Sequence, residues 1–291
     1  MIACDSHVHV FGPRARYPQI DTRAYTAGIA ALDTLTCQAS PLGITRFVIV
    51  QASVNGTDNS CLLDTLDALD GRGRGVVVVD PRAVKASTLD GWSRRGVRGL
   101  RINLYSDYKG AGRASPGLAG LRDRFDALTS IAPDGWHVEV IAPLRIRASA
   151  APLLSASRVP VVIDHYGLPG GSTPDSDDGR ALIELLRQPH VWMKMSGPYR
   201  AVEAPGSDPL STTPPAEWIE AFVQAAPERV VWGSDWPHTP AHEDSAAGDA
   251  PDPFRPIDYS RMFGDFVKAV SEPRTLEAIL DANPARLYAF A

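Results

Sequence analysis

Eight short runs rich in valine and isoleucine recur along the 291 residues, with segments of helical length between them. They are IACDSHV from Ile2, FVIVQAS from Phe47, GVVVVD from Gly75, VRGLRIN from Val97, HVEVIA from His137, PVVIDHY from Pro160, VWMKMS from Val191 and VVWGSDW from Val230. Most are continuously apolar in their first half, the pattern of parallel strands buried on both faces. Each then ends in polar residues. Between them, residues 30–42, 59–70, 118–131 and 179–187 have the apolar spacing of amphipathic helices. Strand and helix alternating in this way predict an α/β chain folded as one (β/α)8 TIM barrel, a single domain over residues 1–291. Such a barrel keeps its site at the carboxyl ends of its strands, where the polar residues gather. The long stretches rich in Pro, Gly, Ser and Asp, residues 105–116, 169–179, 202–215 and 237–256, all follow strands and are expected at that same mouth. The closing segment DANPARLYAF is expected to dock as a last helix, with Pro284 in its first turn.

Composition narrows the partners. Hydrophobic content of 44% and charged content of 22% are those of a soluble globular protein, and a net charge of -5 offers no basic field to nucleic acid. No apolar run approaches the roughly 18 to 20 residues needed to span a bilayer. Met1 to Val10 has neither a basic start nor a cleavage-site pattern, so the chain is expected in the cytoplasm. Cys4, Cys37 and Cys61 are irregularly spaced, without a Cys-x-x-Cys, and are read as reduced.

Four side chains converge in this frame. His7 and His9, spaced i, i+2 at the end of the first strand, point to one face of the sheet. His165 in IDHYG ends the sixth strand and Asp235 in WGSDWPH the eighth, which neighbours the first once a barrel closes. Three imidazoles and a carboxylate suit one divalent metal such as zinc. They equally suit a metal-free site, in which imidazoles and arginines polarise a carbonyl while Asp235 takes a proton from water.

The motifs CDSHVHVFGP, the Tyr25-Thr26 step, VIVQASVNGTDN from Val48, GVRGLRIN, VVIDHYG, KMSGPYR, WGSDWPH and NPARLY follow in order along nearly the whole chain. In them the sequence resembles the amidohydrolase superfamily, and within it the lactone-cleaving branch typified by 2-pyrone-4,6-dicarboxylate lactonase and 4-sulfomuconolactone hydrolase. The resemblance implies a hydrolase that opens a small acidic lactone, a step in the breakdown of aromatic compounds. It assigns His7, His9 and His165 to the carbonyl or metal site and Asp235 to the base that activates water. It makes Tyr25, Ser53, Arg101 and Arg200 the groups that hold the substrate. Arg101 and Asn103 share strand parity and can both face inward, whereas Arg98 should face the helices. Glu139 in HVEVIA is either a further ligand or a buried, paired carboxylate. His137, His190 and His242 are read as structural or surface residues.

Two departures bear on the substrate. The dicarboxylate lactonase resembled here has an arginine where IDHYGLP has Leu168, and a second arginine past the fourth strand where this chain offers only Lys109. A guanidinium fork suits a carboxylate in a way that an ammonium does not. The expected substrate therefore carries one acidic group, a sulfonate or sugar hydroxyls. Binuclear relatives bridge two metals with a carboxylated lysine from a middle strand; Lys85, Lys109, Lys194 and Lys268 all fall outside expected strands three to six, which leaves one metal or none. Alternatives that keep the same site are a sugar-lactone hydrolase or isomerase and a decarboxylase. A metabolite-binding barrel without catalysis should show decay of the His, His, His, Asp set, and that set is intact.

Overall fold

The computed structural model describes residues 2–104, 117–201, 208–240 and 248–291. Eight strands form one sheet, each paired in parallel with the next in chain order: β1 (Ala3–Val8), β2 (Ile44–Val50), β3 (Gly73–Val77), β4 (Val97–Asn103), β5 (His137–Ile141), β6 (Val161–Ile163), β7 (Val191–Ser196) and β8 (Val230–Gly233). Residues following β8 close the ring against β1. Asp235 donates its backbone N–H to the His7 carbonyl at 2.9 Å, and His9 donates to the Trp236 carbonyl at 2.7 Å. The seam is tight because Gly233 has no side chain: a Cβ there would lie 2.6 Å from that of His7. This is the expected barrel.

Helices alternate with the strands as α1 (Leu32–Ala39), α2 (Ser60–Leu69), α3 (Ala86–Arg94), α4 (Gly117–Thr129), α5 (Leu144–Ser155) and α6 (Asp177–Leu186). A short α7 (Pro198–Ala201), then α8 (Ala216–Ala225) and α9 (Tyr259–Ala269), follow the last two strands. The chain ends in α10 (Pro273–Glu277), a π turn over Ala278–Ala282 and α11 (Asn283–Tyr288), with Pro284 in the first turn of α11. No helix among the described residues is long and apolar enough to cross a membrane. Cys4, Cys37 and Cys61 form no disulfide.

Two strands start earlier than the apolar runs suggest, β2 at Ile44 and β3 at Gly73. The strand β3 also ends sooner, at Val77, and its early start comes from Gly73 and Arg74 pairing with Phe47 and Val48 of β2. A charged residue inside a strand hides its start from any apolar count. Arg74 is held there by the end of the chain, donating to the carbonyls of Tyr288 at 3.0 Å and Ala289 at 2.7 Å, with Phe290 beneath its guanidinium.

The large core lies between strands and helices, and a smaller one fills the barrel floor with Cys4, Val48, Val76, Val162, Val231, Tyr288 and Phe290. A bulge in β1 decides what stands above that floor. Asp5 and Val8 pair with Phe47 and Ile49, so β1 carries one residue more than β2 over this span. The extra residue lets Cys4 in the floor and His7 above it both face inward, although an odd separation would put them on opposite faces of a regular strand.

His137, Glu139 and Ile141 of β5 climb from the floor to the mouth. The His137 ring packs edge-on to Tyr288 with centroids 5.4 Å apart, in space that a Cβ on Gly99 would fill at 2.5 Å. Burial lowers its pKa from 6.5 to about 3, chiefly by disfavouring the charged form. The unfolded chain therefore takes up a proton below pH 6.5 that the folded chain refuses until about pH 3. Stability should fall as pH drops through that window. Replacing His137 with Leu should remove about 2 kcal/mol of the stability lost between pH 7 and pH 5. Denaturant unfolding of both proteins across this range checks it, and parallel pH dependences would show the site to be wrongly described.

Candidate active site

The described strand ends do not carry their key residues as strand. The strands β6 and β8 stop at Ile163 and Gly233, and His165 and Asp235 lie in turns just beyond, with φ of 52° and 63°. That left-handed backbone is uncommon for non-glycine residues and is held here by the surroundings. It also lets Asp164 and His165, adjacent in sequence, both reach the barrel axis.

Asp235 is fully buried, and its two oxygens are used differently. Oδ2 accepts from Tyr199 OH and from Arg200 Nε, each at 2.5 Å. Oδ1 accepts no hydrogen bond from the described residues; it lies 3.2 Å from His9 Nε2 and 3.6 Å from His7 Nε2. The Val50 carbonyl, 2.8 Å from His9 Nδ1, can only accept, so the His9 proton sits on Nδ1 and Nε2 is left to face the carboxylate. His165 Nδ1 lies 3.2 Å from the Ser196 carbonyl and 3.0 Å from its hydroxyl, which leaves Nε2 as its acceptor. His7 lies between, its ring tilted by 54° to that of His165 at 4.7 Å and edge-on to that of His9 at 5.0 Å, with Nδ1 3.5 Å from Asp164.

Burial alone would raise the Asp235 pKa, but Arg200 and the neighbouring imidazoles together hold it well below the usual carboxylate range. Burial lowers His165 to about 4 against the pull of Asp235 and Asp164, and lowers His7 further below its ordinary value. Near neutral pH His7 and His165 are thus neutral imidazoles beside the Asp235 carboxylate, the protonation state that metal ligation requires.

Whether a cation fits can be asked of the atoms themselves. Among the described residues two groups offer three ligand atoms within 4.8 Å of one another: His7, His9 and Asp235, and His7, Asp164 and His165. In the second, Asp164 Oδ1 already has the Lys194 ammonium at 3.4 Å. In the first, His7 Nε2 and Asp235 Oδ1 are buried without a hydrogen-bond partner. Such atoms cost about 1–3 kcal/mol each when left unsatisfied, more when charged. Zinc bonds of about 2.0–2.2 Å in a tetrahedron imply ligand separations of about 3.3–3.6 Å. From Asp235 Oδ1 the 3.6 Å to His7 falls in that range and the 3.2 Å to His9 lies just below it, so His7, His9 and Asp235 fit one small divalent ion.

Above this cluster opens a cavity that is continuous with solvent. The five expected substrate-holding residues, Tyr25, Ser53, Arg101, Asn103 and Arg200, all line it, together with His9, His165 and Asp235. His7 lies beneath and does not. Arg200 is engaged within the protein, through Asp235 and through Thr239 Oγ1 at 2.6 Å. Tyr25 is brought over the cavity by a loop stapled to the region after β8, where Thr26 donates from its N–H to Asp252 at 2.8 Å and from its hydroxyl to the Gly248 carbonyl at 2.5 Å. Leu168 packs on Ile141, which lines the cavity and gives it an apolar side.

Glu139 joins neither metal-capable group; it pairs with Lys194 and with Arg101, at 3.3 Å from the latter's Nε. It is a buried, paired carboxylate here, with Arg101 its direct register partner on β4. His137 lies in the floor, and His190 bonds the Leu154 carbonyl at 3.0 Å. Arg98 turns away to the carbonyls of Ser93 and Val97, each at 2.8 Å. Lys109 and His242 lie outside the described residues. Sequence reasoning missed Asp164, Lys194, Ser196, Tyr199 and Thr239. The alternation in VWMKMS, with Trp192, Lys194 and Ser196 on one face, was the signal available for two of them.

A chain so arranged has close relatives in sequence and structure. It is 30% identical to 4-sulfomuconolactone hydrolase of Hydrogenophaga intermedia over 98% of this chain and 88% of that one. It is 29% identical to 2-pyrone-4,6-dicarboxylate hydrolase of Comamonas testosteroni, over 98% and 90%. The crystal structure of a probable 2-pyrone-4,6-dicarboxylic acid hydrolase from Acinetobacter baumannii, with citric acid bound, superposes over all of both chains with a TM-score of 0.74 at 26% identity. The amidohydrolase family model matches residues 4–290, and with strand topology and similarity agreeing over that length, the chain belongs to the amidohydrolase family.

Proposed function

We propose that the protein is a lactonase, a hydrolase that opens the ring of a small lactone bearing one acidic group. The observation that carries the reading is the divided carboxylate of Asp235. One oxygen is clamped by Tyr199 and Arg200, and the other is turned toward His7 and His9 beside a cavity with Arg101 in its wall. The similarity to hydrolases of sulfomuconolactone and pyrone dicarboxylate supports a lactone as substrate.

In this reading Arg101 takes the acidic group of the lactone, and Tyr25, Ser53 and Asn103 orient the ring. The scissile carbonyl lies toward His165. Asp235 Oδ1 accepts a proton from the attacking water, and the same proton is returned to the leaving ring oxygen, so that acid and base are one residue at two stages. Arg200 and Tyr199 hold the carboxylate in place throughout. One divalent ion, zinc by its donor set, would be held by His7, His9 and Asp235, with His165 near; when bound it supplies a Lewis acid that polarises the carbonyl and acidifies water. The apolar contact between Leu168 and Ile141 favours a ring with a single acidic substituent over one with two.

Assay against 4-sulfomuconolactone, 2-pyrone-4,6-dicarboxylate, muconolactone and aldonolactones, with and without zinc, tests the function. Hydrolysis of an acidic lactone is expected, and no turnover of any of them would end the reading. Asp235→Asn should lower kcat by about 10²–10⁴-fold, the usual worth of a general base; full activity in that variant would dismiss Asp235 from the role. Elemental analysis of the purified protein should find close to one zinc per chain, lost in a His7→Ala, His9→Ala double variant. Since Asp235 must be ionised to accept a proton and Arg200 keeps it so at low pH, Arg200→Met should move the acidic limb of the kcat profile upward, by about 1–3 pH units. An unmoved limb would show that another group sets it.

A further inference from the structure

Beneath the cavity, four buried charges close into a ring. Arg101 from β4 and Glu139 from β5 are register partners, Asp164 follows β6, and Lys194 belongs to β7. Each carboxylate divides its two oxygens between the two cations. Glu139 gives Oε1 to Arg101 Nε at 3.3 Å and Oε2 to the Lys194 ammonium. Asp164 gives Oδ2 to Arg101 NH2 at 3.2 Å and Oδ1 to Lys194 at 3.4 Å. With both carboxylates ionised, which Lys194 and Arg101 favour against the burial that raises Glu139 to about 7, charge alternates around the ring and sums to zero. Lys194, Glu139 and Asp164 are fully buried, and only Arg101, at 5% exposure, reaches the cavity. A third contact, Arg101 NH1 to the Gln51 carbonyl at 3.0 Å, fixes the guanidinium plane.

Stability alone is a weak account of such a ring, because buried ion pairs seldom outdo apolar residues of similar volume. The floor just below shows that this barrel interior packs well with Val48, Val76, Val162 and Val231. What the ring does supply is a guanidinium locked in one orientation whose charge is not overwhelmed by its own counter-ions. Two carboxylates sharing Arg101 alone would leave the cavity wall net negative and repel an acidic ligand. Lys194, from behind, cancels one of them.

We infer that Lys194 is a positioning residue that, through Glu139 and Asp164, orients Arg101 and keeps its side of the cavity attractive to anions. The inference rests on the reading above in taking an acidic group as the ligand of Arg101. Lys194 touches no substrate, so its effect belongs in affinity rather than in turnover.

The experiment compares the unchanged protein, Lys194→Met, Glu139→Gln and the Lys194→Met, Glu139→Gln double variant. The readouts are calorimetric titration with citrate as an acidic probe, and kcat and KM on the best acidic lactone of the panel. Lys194→Met should weaken citrate binding and raise KM about tenfold or more, the size of one uncompensated charge roughly 10 Å away at an effective dielectric of about 20. Its kcat should change much less. The double variant, neutral again, should recover affinity to within about threefold, which replacing a merely structural lysine would not produce. Affinity and KM unchanged in Lys194→Met while the melting temperature falls would overturn the inference, as would a double variant no better than Lys194→Met. Should Lys194→Met fail to fold, the double variant and Glu139→Gln still decide: tight citrate binding in the first is expected, and binding weaker than in the unchanged protein by tenfold would refute it. Citrate bound but no lactone turned over would remove the functional reading and leave this one; turnover of neutral lactones alone, with citrate unbound, would overturn this inference and leave of the functional reading only the lactonase, without its acidic substrate.

Discussion

The seam between β1 and the residues after β8 is the constraint on which the rest of this structure depends. Two backbone hydrogen bonds, from Asp235 to His7 and from His9 to Trp236, close the ring, and they join the same residues whose side chains form the metal-capable cluster. Asp5 ties the seam from the other side. Its carboxylate accepts from the backbone N–H groups of Ser234 at 2.9 Å and His7 at 3.2 Å, and from Tyr259 OH at 2.8 Å. Closure and site assembly are therefore one event. The chain's first and last strands must meet before His9 and Asp235 can face each other.

From floor to mouth the barrel interior changes character in three steps. Apolar side chains and the end of the chain plug the floor, the ring of Arg101, Glu139, Asp164 and Lys194 lies above, and the cavity opens over it. Each step alters the dielectric felt by the next. The apolar floor keeps water from the charges, and the charges in turn hold the groups that face the cavity. His7 belongs to both upper layers, one ring nitrogen near Asp164 and the other near Asp235.

Most of the fold is legible in the sequence because its signals are local. Parallel strands buried on both faces leave continuous apolar runs, and period-two alternation is enough to place Arg101 and Asn103 inward and Arg98 outward. The start of β3 is hidden, since Arg74 reads as a surface residue until the carbonyls of Tyr288 and Ala289 are brought to it. The same limit applies to Lys194. In VWMKMS it has inward parity, but its partners Glu139 and Asp164 are distant in sequence, and only a closed barrel shows that its charge is matched.

By itself, the sequence determined the strand and helix alternation, the residue types at the strand ends, and the parity that turns Arg101 and Asn103 inward. All of these depend on neighbours within a few positions. The tertiary structure alone decided the bulge that turns both Cys4 and His7 inward, the left-handed turns that aim His165 and Asp235, and the division of the Asp235 carboxylate between Tyr199 and Arg200 on one oxygen and the histidines on the other. Each of these is a compromise among segments far apart in the chain. Backbone geometry and side-chain pairing there are set by the fixed circumference of a closed eight-stranded ring, which no local pattern encodes.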